Sequence, residues 1–213
     1  MGAMLLSLGL FCAMASSASA TPVGVYMAGE ESEEVASQPR FEAESYPVKV
    51  NGNSLSSHKQ VVQAGYVECQ IVDFFGAASA ATPTLAFSPV RTQCGGKSNG
   101  GSSVVVTIMS HECKYVLHAL NAGPPYVGTF GIECPPEVNG YEYIAAGVCH
   151  IVYPPQTGVA GVSFENTGTG SERKIKATFN VTSLKYTQSA GCGKAGEFTN
   201  GTYTGSELLF GEK

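Results

Sequence analysis

Tryptophan is absent from the chain, and Asp73 is its single aspartate among 213 residues. Without tryptophan, the usual flat platform for a sugar ring is missing, and the ten tyrosines would have to serve in its place. With one aspartate and four histidines, the side chains that general acid–base chemistry draws on are scarce. A Ser-His-Asp triad would have to use Asp73 or a glutamate in its place, and no Gly-x-Ser-x-Gly elbow presents a nucleophile. Charge is also sparse, at 14% of residues against about 25% in ordinary globular chains. The net charge of −5 offers no basic excess to displace counterions from phosphates, which excludes a nucleic-acid partner. Neither Cys-x-x-Cys nor His-Glu-x-x-His occurs, so the motifs that mark zinc sites are missing. Gly96-Lys97-Ser98 copies the end of a phosphate loop. Arg91 stands where the motif needs its first glycine, however, and Val104-Val105-Val106 reads as strand where a helix must follow. No catalytic residue, metal ligand or cofactor is expected. Nor is a membrane span, because the apolar runs are too short.

Small residues and cysteines are plentiful. Met1 to Ala20 reads as a secretory signal: Leu5 to Ala15 is a short apolar core, and Ala18-Ser19-Ala20 has the small-x-small form that signal peptidase accepts. The segment lacks a Lys or Arg ahead of the core. Cleavage is expected before Thr21, giving a secreted, extracellular protein. Residues 21–40 carry Glu30, Glu31, Glu33 and Glu34 among small residues. Such a run buries too little apolar surface to offset its ordering entropy and reads as an acidic flexible linker. Residues 41–213 form the folded domain.

Processing removes Cys12 and leaves Cys69, Cys94, Cys113, Cys134, Cys149 and Cys192. An even set in an exported chain fits an oxidised frame, in which no thiol is free to act as a nucleophile. The pattern Cys-x-(Ile/Tyr)-Val recurs at Cys69, Cys113 and Cys149 in strand-like runs, whereas Cys94, Cys134 and Cys192 sit among Gly and Pro. One scheme joins Cys69 to Cys94, Cys134 to Cys149 and Cys113 to Cys192, because strand–turn loops of this kind close readily. A second joins each strand cysteine to the next turn cysteine: Cys69–Cys94, Cys113–Cys134 and Cys149–Cys192. Cys69–Cys94 is common to both.

Residues 174–182 show the clearest period of two: Ile175, Ala177, Phe179 and Val181 share one face, and lysines, threonines and an asparagine share the other. This is the pattern of a half-buried antiparallel strand. Thr84 to Ser88 reads as a strand bounded by Pro83 and Pro89, with a Gly/Ser loop from Gly95 to Ser103. Val104 to Met109, apolar on both faces, reads as a central strand. About a dozen short strands without a convincing helix predict an all-β protein. A two-layer antiparallel β-sandwich, disulfide-bonded, is the first expectation, and a β-barrel is the alternative.

Several motifs follow one another in a fixed order. They are Phe41 with Ser45-Tyr46-Pro47, Cys69 with Phe74, Cys113-Lys114-Tyr115, Cys134-Pro135, Cys149 through Pro154-Pro155-Gln156, Phe164-Glu165-Asn166, and Gly201-Thr202-Tyr203-Thr204-Gly205. Over Phe41 to about Leu209 the chain resembles a family of uncharacterised exported proteins of high-GC Gram-positive bacteria. The resemblance implies export, β structure and disulfides, and it carries no catalytic residue with it.

The functional expectation is a non-catalytic binding or structural protein of the cell surface or extracellular space, its partner an extracellular or cell-envelope ligand that the residues do not identify. Two alternatives stay open. In a glutamate-dependent hydrolase, Glu142, Glu165 and Glu172 would be the first candidates. In a carbohydrate-binding module, Tyr126, Tyr141, Tyr143 and Tyr203 near turns would form the platform. The histidines His58, His111, His118 and His150 read as surface or turn residues, although His111 and Cys113 have the two-residue spacing that places ligands on one strand face.

Overall fold

Alternating apolar and polar residues become strand after strand. The computed structural model describes residues 40–45, 48–50, 53–55, 57–77, 82–121, 124–167 and 174–212. The expected signal sequence, nearly all of the acidic linker and Glu172 lie outside these residues. Fifteen strands follow in order: β1 (Arg40–Ser45), β2 (Val48–Val50), β3 (Asn53–Leu55), β4 (His58–Val62), β5 (Gly65–Ala77), β6 (Thr84–Ser98), β7 (Ser103–Val104), β8 (Val106–Met109), β9 (Lys114–Ala119), β10 (Tyr126–Glu133), β11 (Tyr141–Ala145), β12 (Cys149–Tyr153), β13 (Gln156–Thr167), β14 (Lys174–Gln188) and β15 (Gly196–Glu212). The helical structure among the described residues is a single 3-10 turn at Ala190–Cys192. No helix among them is long and apolar enough to cross a membrane.

The architecture is all-β and sandwich-like, with antiparallel pairing throughout. Thirteen strands belong to one sheet, and β2 and β3 pair separately. Successive ladders run β5–β6–β9–β10–β13–β14–β15, and β15 returns to β5 through β4 and, farther along, through β1. The layers are thus joined by hydrogen bonds around one core, unlike two separate stacked sheets. A wing of β12, β11 and β8 branches from the end of β14, so the ladders do not describe a plain barrel either.

Two irregularities let long strands bend around this core. In β14 the register shifts between Val181 and Leu184, and Ser183 takes φ +65°. The inward face then changes from Ala177, Phe179 and Val181 to Leu184, Tyr186 and Gln188. The extra residue of a bulge does this, since the side-chain period is two. In β5 the buried positions likewise move from Val67 and Cys69 to Val72 and Phe74, opposite Gln93 at φ +52° on β6.

Three sequence expectations are corrected. The strand beginning at Thr84 does not stop at Pro89 but runs on to Ser98. Pro89 is buried opposite Phe74, and β6 takes up the first part of the expected Gly/Ser loop. The run Val104 to Met109 is not a central strand. It splits at Val105, pairing first with β6 and then with β11, and β8 ends the sheet order. Only one of its faces meets the core, so Val105 is 82% exposed.

The third correction concerns the disulfides. Cys134 does not join Cys149, nor Cys113 Cys192. The bridges are Cys69–Cys94, Cys113–Cys134 and Cys149–Cys192. The ladders explain the choice. Cys69 and Cys94 are direct register partners. Lys114 faces Glu133 at the end of the β9–β10 ladder, so Cys113 and Cys134 stand opposite each other one step on, their Cα atoms 4.1 Å apart. Pairing of Ile151 with Gln188 brings the start of β12 alongside the 3-10 turn that carries Cys192.

Candidate functional site

The unusual chemistry lies inside. On β4 the inward positions are His58, Gln60 and Val62; on β15 they include Tyr203, Gly205, Glu207 and Leu209. Arg91 of β6, Tyr115 of β9, and Tyr141 and Tyr143 of β11 meet them between the layers. Six tyrosines (115, 141, 143, 153, 186 and 203) rank among the largest fully buried side chains. Aromatic residues suit a pleated sheet face, but each phenol brings a hydroxyl that must find a partner once water is gone.

Arg91 is that partner for several of them. Its guanidinium carbon lies 5.1 Å from the ring centre of Tyr115, 5.0 Å from Tyr141, 5.5 Å from Tyr143 and 5.9 Å from Tyr203. These distances fall within the range where a ring's negative face attracts a cation. Nη2 donates to Tyr115 Oη, and Nη1 donates to Gln60 Oε1 over 3.3 Å. Gln60 links the two halves of the cage: its Oε1 also accepts from Tyr143 Oη, and its Nε2 donates to Tyr115 Oη over 3.4 Å. Arg91 keeps partial exposure as a residue, but its Nε is sealed from solvent and has no acceptor. Burial alone would lower the Arg91 pKa. Tyr115, Tyr141 and Tyr203 outweigh it and raise that pKa above its ordinary value. Burial pushes the Tyr115 hydroxyl up to about 12, against the pull of Arg91, so this phenol stays protonated.

Beside the cage sit His58 and Glu207. His58 is 3% exposed and Glu207 0%. Nε2 of His58 lies 2.5 Å from Glu207 Oε1, and Nδ1 lies 2.5 Å from Tyr203 Oη. The rings of Phe74, Phe179 and Tyr203 surround the imidazole. Gly205 makes the fit: a Cβ there would come within 2.4 Å of His58 Nδ1.

A second cluster lies at the surface of the wing. Glu142 of β11 accepts from His150 Nδ1 at 2.7 Å and approaches His111 Nε2 at 3.4 Å. His111 and Glu112 form the turn between β8 and β9 at φ +49° and +64°. The His150 bond holds the Glu142 carboxyl below its usual range, aided by His111 and opposed by partial burial. Cys113, two residues from His111, is spent in a disulfide. Among the described residues no group of three His, Cys, Asp or Glu side chains is arranged to hold a metal ion.

The candidates read from the sequence are dispersed. Glu142 is engaged with two histidines, while Glu165 on β13 is exposed and lies 3.6 Å from Lys176 Nζ. Their strands are not neighbours in the sheet. Tyr141, Tyr143 and Tyr203 point into the core, which removes them from any surface platform; Tyr126 is half-buried. His58 is a core residue, contrary to the surface expectation. The sequence reading missed His58, Gln60, Arg91, Tyr115 and Glu207 as a set. Their signal was period-two alternation with apolar neighbours, as in His58-x-Gln60-x-Val62, which a polar residue on the inward face disguises. No family model, curated protein or solved structure matches the chain.

Proposed function

We propose that this is an exported, non-catalytic binding or structural protein of the cell surface or extracellular space. One observation carries the reading: the side chains that could do chemistry are engaged with one another. All six cysteines of the β domain are bridged. Arg91 and Gln60 are bonded to each other and to Tyr115 and Tyr143, and the two glutamates that can be placed sit on strands apart. Three bridges suit an oxidising compartment, in keeping with the resemblance over residues 41–209 to exported proteins. Ligand contacts are assigned to the turns, where variation is tolerated over a rigid scaffold.

The test is to express the full chain in an exporting Gram-positive host and fractionate the culture. The oxidised protein is expected in the medium or on the envelope, where it cosediments with isolated envelopes or stays free and folded. It is expected to turn over no chromogenic glycoside or ester. Retention in the cytoplasm with reduced cysteines would overturn the export reading. Hydrolysis abolished by E142Q or E165Q would make it an enzyme.

A further inference from the structure

The pairing of β4 with β15 sets an imidazole against a buried carboxyl. Lys59 pairs with Thr204, so His58, one step on, lies over Gly205, whose missing side chain admits the ring. Each ring nitrogen then meets an oxygen at 2.5 Å, Nδ1 at Tyr203 and Nε2 at Glu207. At that separation two lone pairs repel, and in a dry core no water intervenes to relieve them. Nε2 makes no well-angled hydrogen bond to Oε1, and among the described residues neither Glu207 oxygen has another donor, so a carboxylate in this fully buried place would keep its charge unpartnered. We propose that Glu207 and His58 hold one proton between them in the folded core, as a carboxylic acid donating to a neutral imidazole, and that this pair sets the acidity at which the fold is most stable.

Charges around the pair favour this form. Arg91 on β6 already places a cation in the same core, so an imidazolium beside it would add a second. Asp73 on β5 lies near enough to disfavour a Glu207 carboxylate. From β9 and β15 the facing titratable groups are the phenols Tyr115 and Tyr203, and β14 contributes the Phe179 ring. Burial first, then Arg91, lowers His58 to about 3, against a backbone hydrogen bond at Ser206. Burial first, then Asp73, raises Glu207 well above its ordinary value, against Arg91.

Proton counting gives the sign. The unfolded pair, with ordinary values of 6.5 for His58 and 4.5 for Glu207, binds no proton at high pH, one between those values and two below them. The folded pair binds one across the whole range. Above pH 6.5 the folded state holds the extra proton, so stability falls as pH rises. Below 4.5 the unfolded state holds it, so stability falls as pH drops toward 3. Between the two ordinary values the pair contributes its full stabilisation.

The experiment is urea unfolding of wild type and E207Q from pH 4.5 to 8, with both bearing intact disulfides. The ratio of their folding constants is expected to rise in favour of wild type by about tenfold for each pH unit lowered, one proton's worth of linkage. A pH-independent ratio overturns the proposal. If E207Q does not fold, 15N resonances of His58 in the wild type decide. A protonated Nδ1 and a bare Nε2, unchanged from pH 5 to 8, is the expected result. An imidazole protonated at Nε2, one that titrates within that span, or an imidazolium throughout it, overturns the proposal. Infrared spectra add a direct reading, an un-ionised carboxyl stretch at neutral pH that E207Q removes.

Discussion

A guanidinium leaving water must replace its hydration with acceptors or π faces. Arg91 uses both, and among the described residues no carboxylate forms an ion pair with it. Replacing it with methionine removes the buried charge and takes one of two donors from each of Tyr115 Oη and Gln60 Oε1. Arg91→Met is therefore expected to cost about 1–3 kcal/mol, read as a lower urea midpoint at unchanged slope. Arg91→Lys should not rescue it, because a single ammonium cannot reproduce the fork that reaches both partners. A midpoint for Arg91→Met at or above wild type would show the cage to be dispensable. Glu142 is a different residue-scale case. Its folded pKa is depressed, so its contribution is present above its ordinary value of 4.5 and is lost as pH falls through the folded value. Partial exposure of all three partners limits that contribution to under about 1 kcal/mol. Glu142→Gln should therefore lower stability slightly at pH 7 and be indistinguishable from wild type in strong acid, as paired thermal melts would show.

At the scale of elements, the backbone of the wing is hydrogen-bonded to the body at few points. β12 meets β14 over only two register pairs, Ile151 with Gln188 and Val152 with Thr187. The Cys149–Cys192 bridge closes the same junction. Its removal should therefore act locally. In Cys149→Ser/Cys192→Ser, amide exchange is expected to speed up in β8, β11 and β12 and to stay slow in β5, β14 and β15, the pattern of sub-global opening. Removing Cys69–Cys94, which staples a long ladder inside the body, should instead lower global stability by about 2–4 kcal/mol. Equal exchange effects of the two double variants would refute this division. The same elements explain which strands the sequence concealed. Ser183 and Gln93 hide bends inside continuous strands: a bulge at Ser183 and a left-handed residue at Gln93 each break the period of two by which strands are read. Val105 hides a split, because an all-apolar run looks central when only one of its faces finds a core.

At the scale of the whole molecule, export and oxidation go together. Material recovered from the medium of an exporting host is expected to begin at Thr21 and to show no free thiol under denaturing titration. An intact Met1, or two or more titratable thiols, would count against the reading.

What the sequence determined alone was whatever depends on composition and local period: an all-β chain, six cysteines ready to pair within residues 41–213, the strand at 174–182, and the lack of any short catalytic motif. These follow because turn chemistry and alternation act between near neighbours in the chain. Only the tertiary structure decided which cysteines pair, since ladder register places Cys113 opposite Cys134. It alone turned His58, Gln60, Arg91 and Glu207 inward. A polar residue in a strand looks the same on either face until a distant strand supplies its partner, and here those partners come from five separate strands, closing contacts such as that between His58 and Tyr203, 145 residues apart.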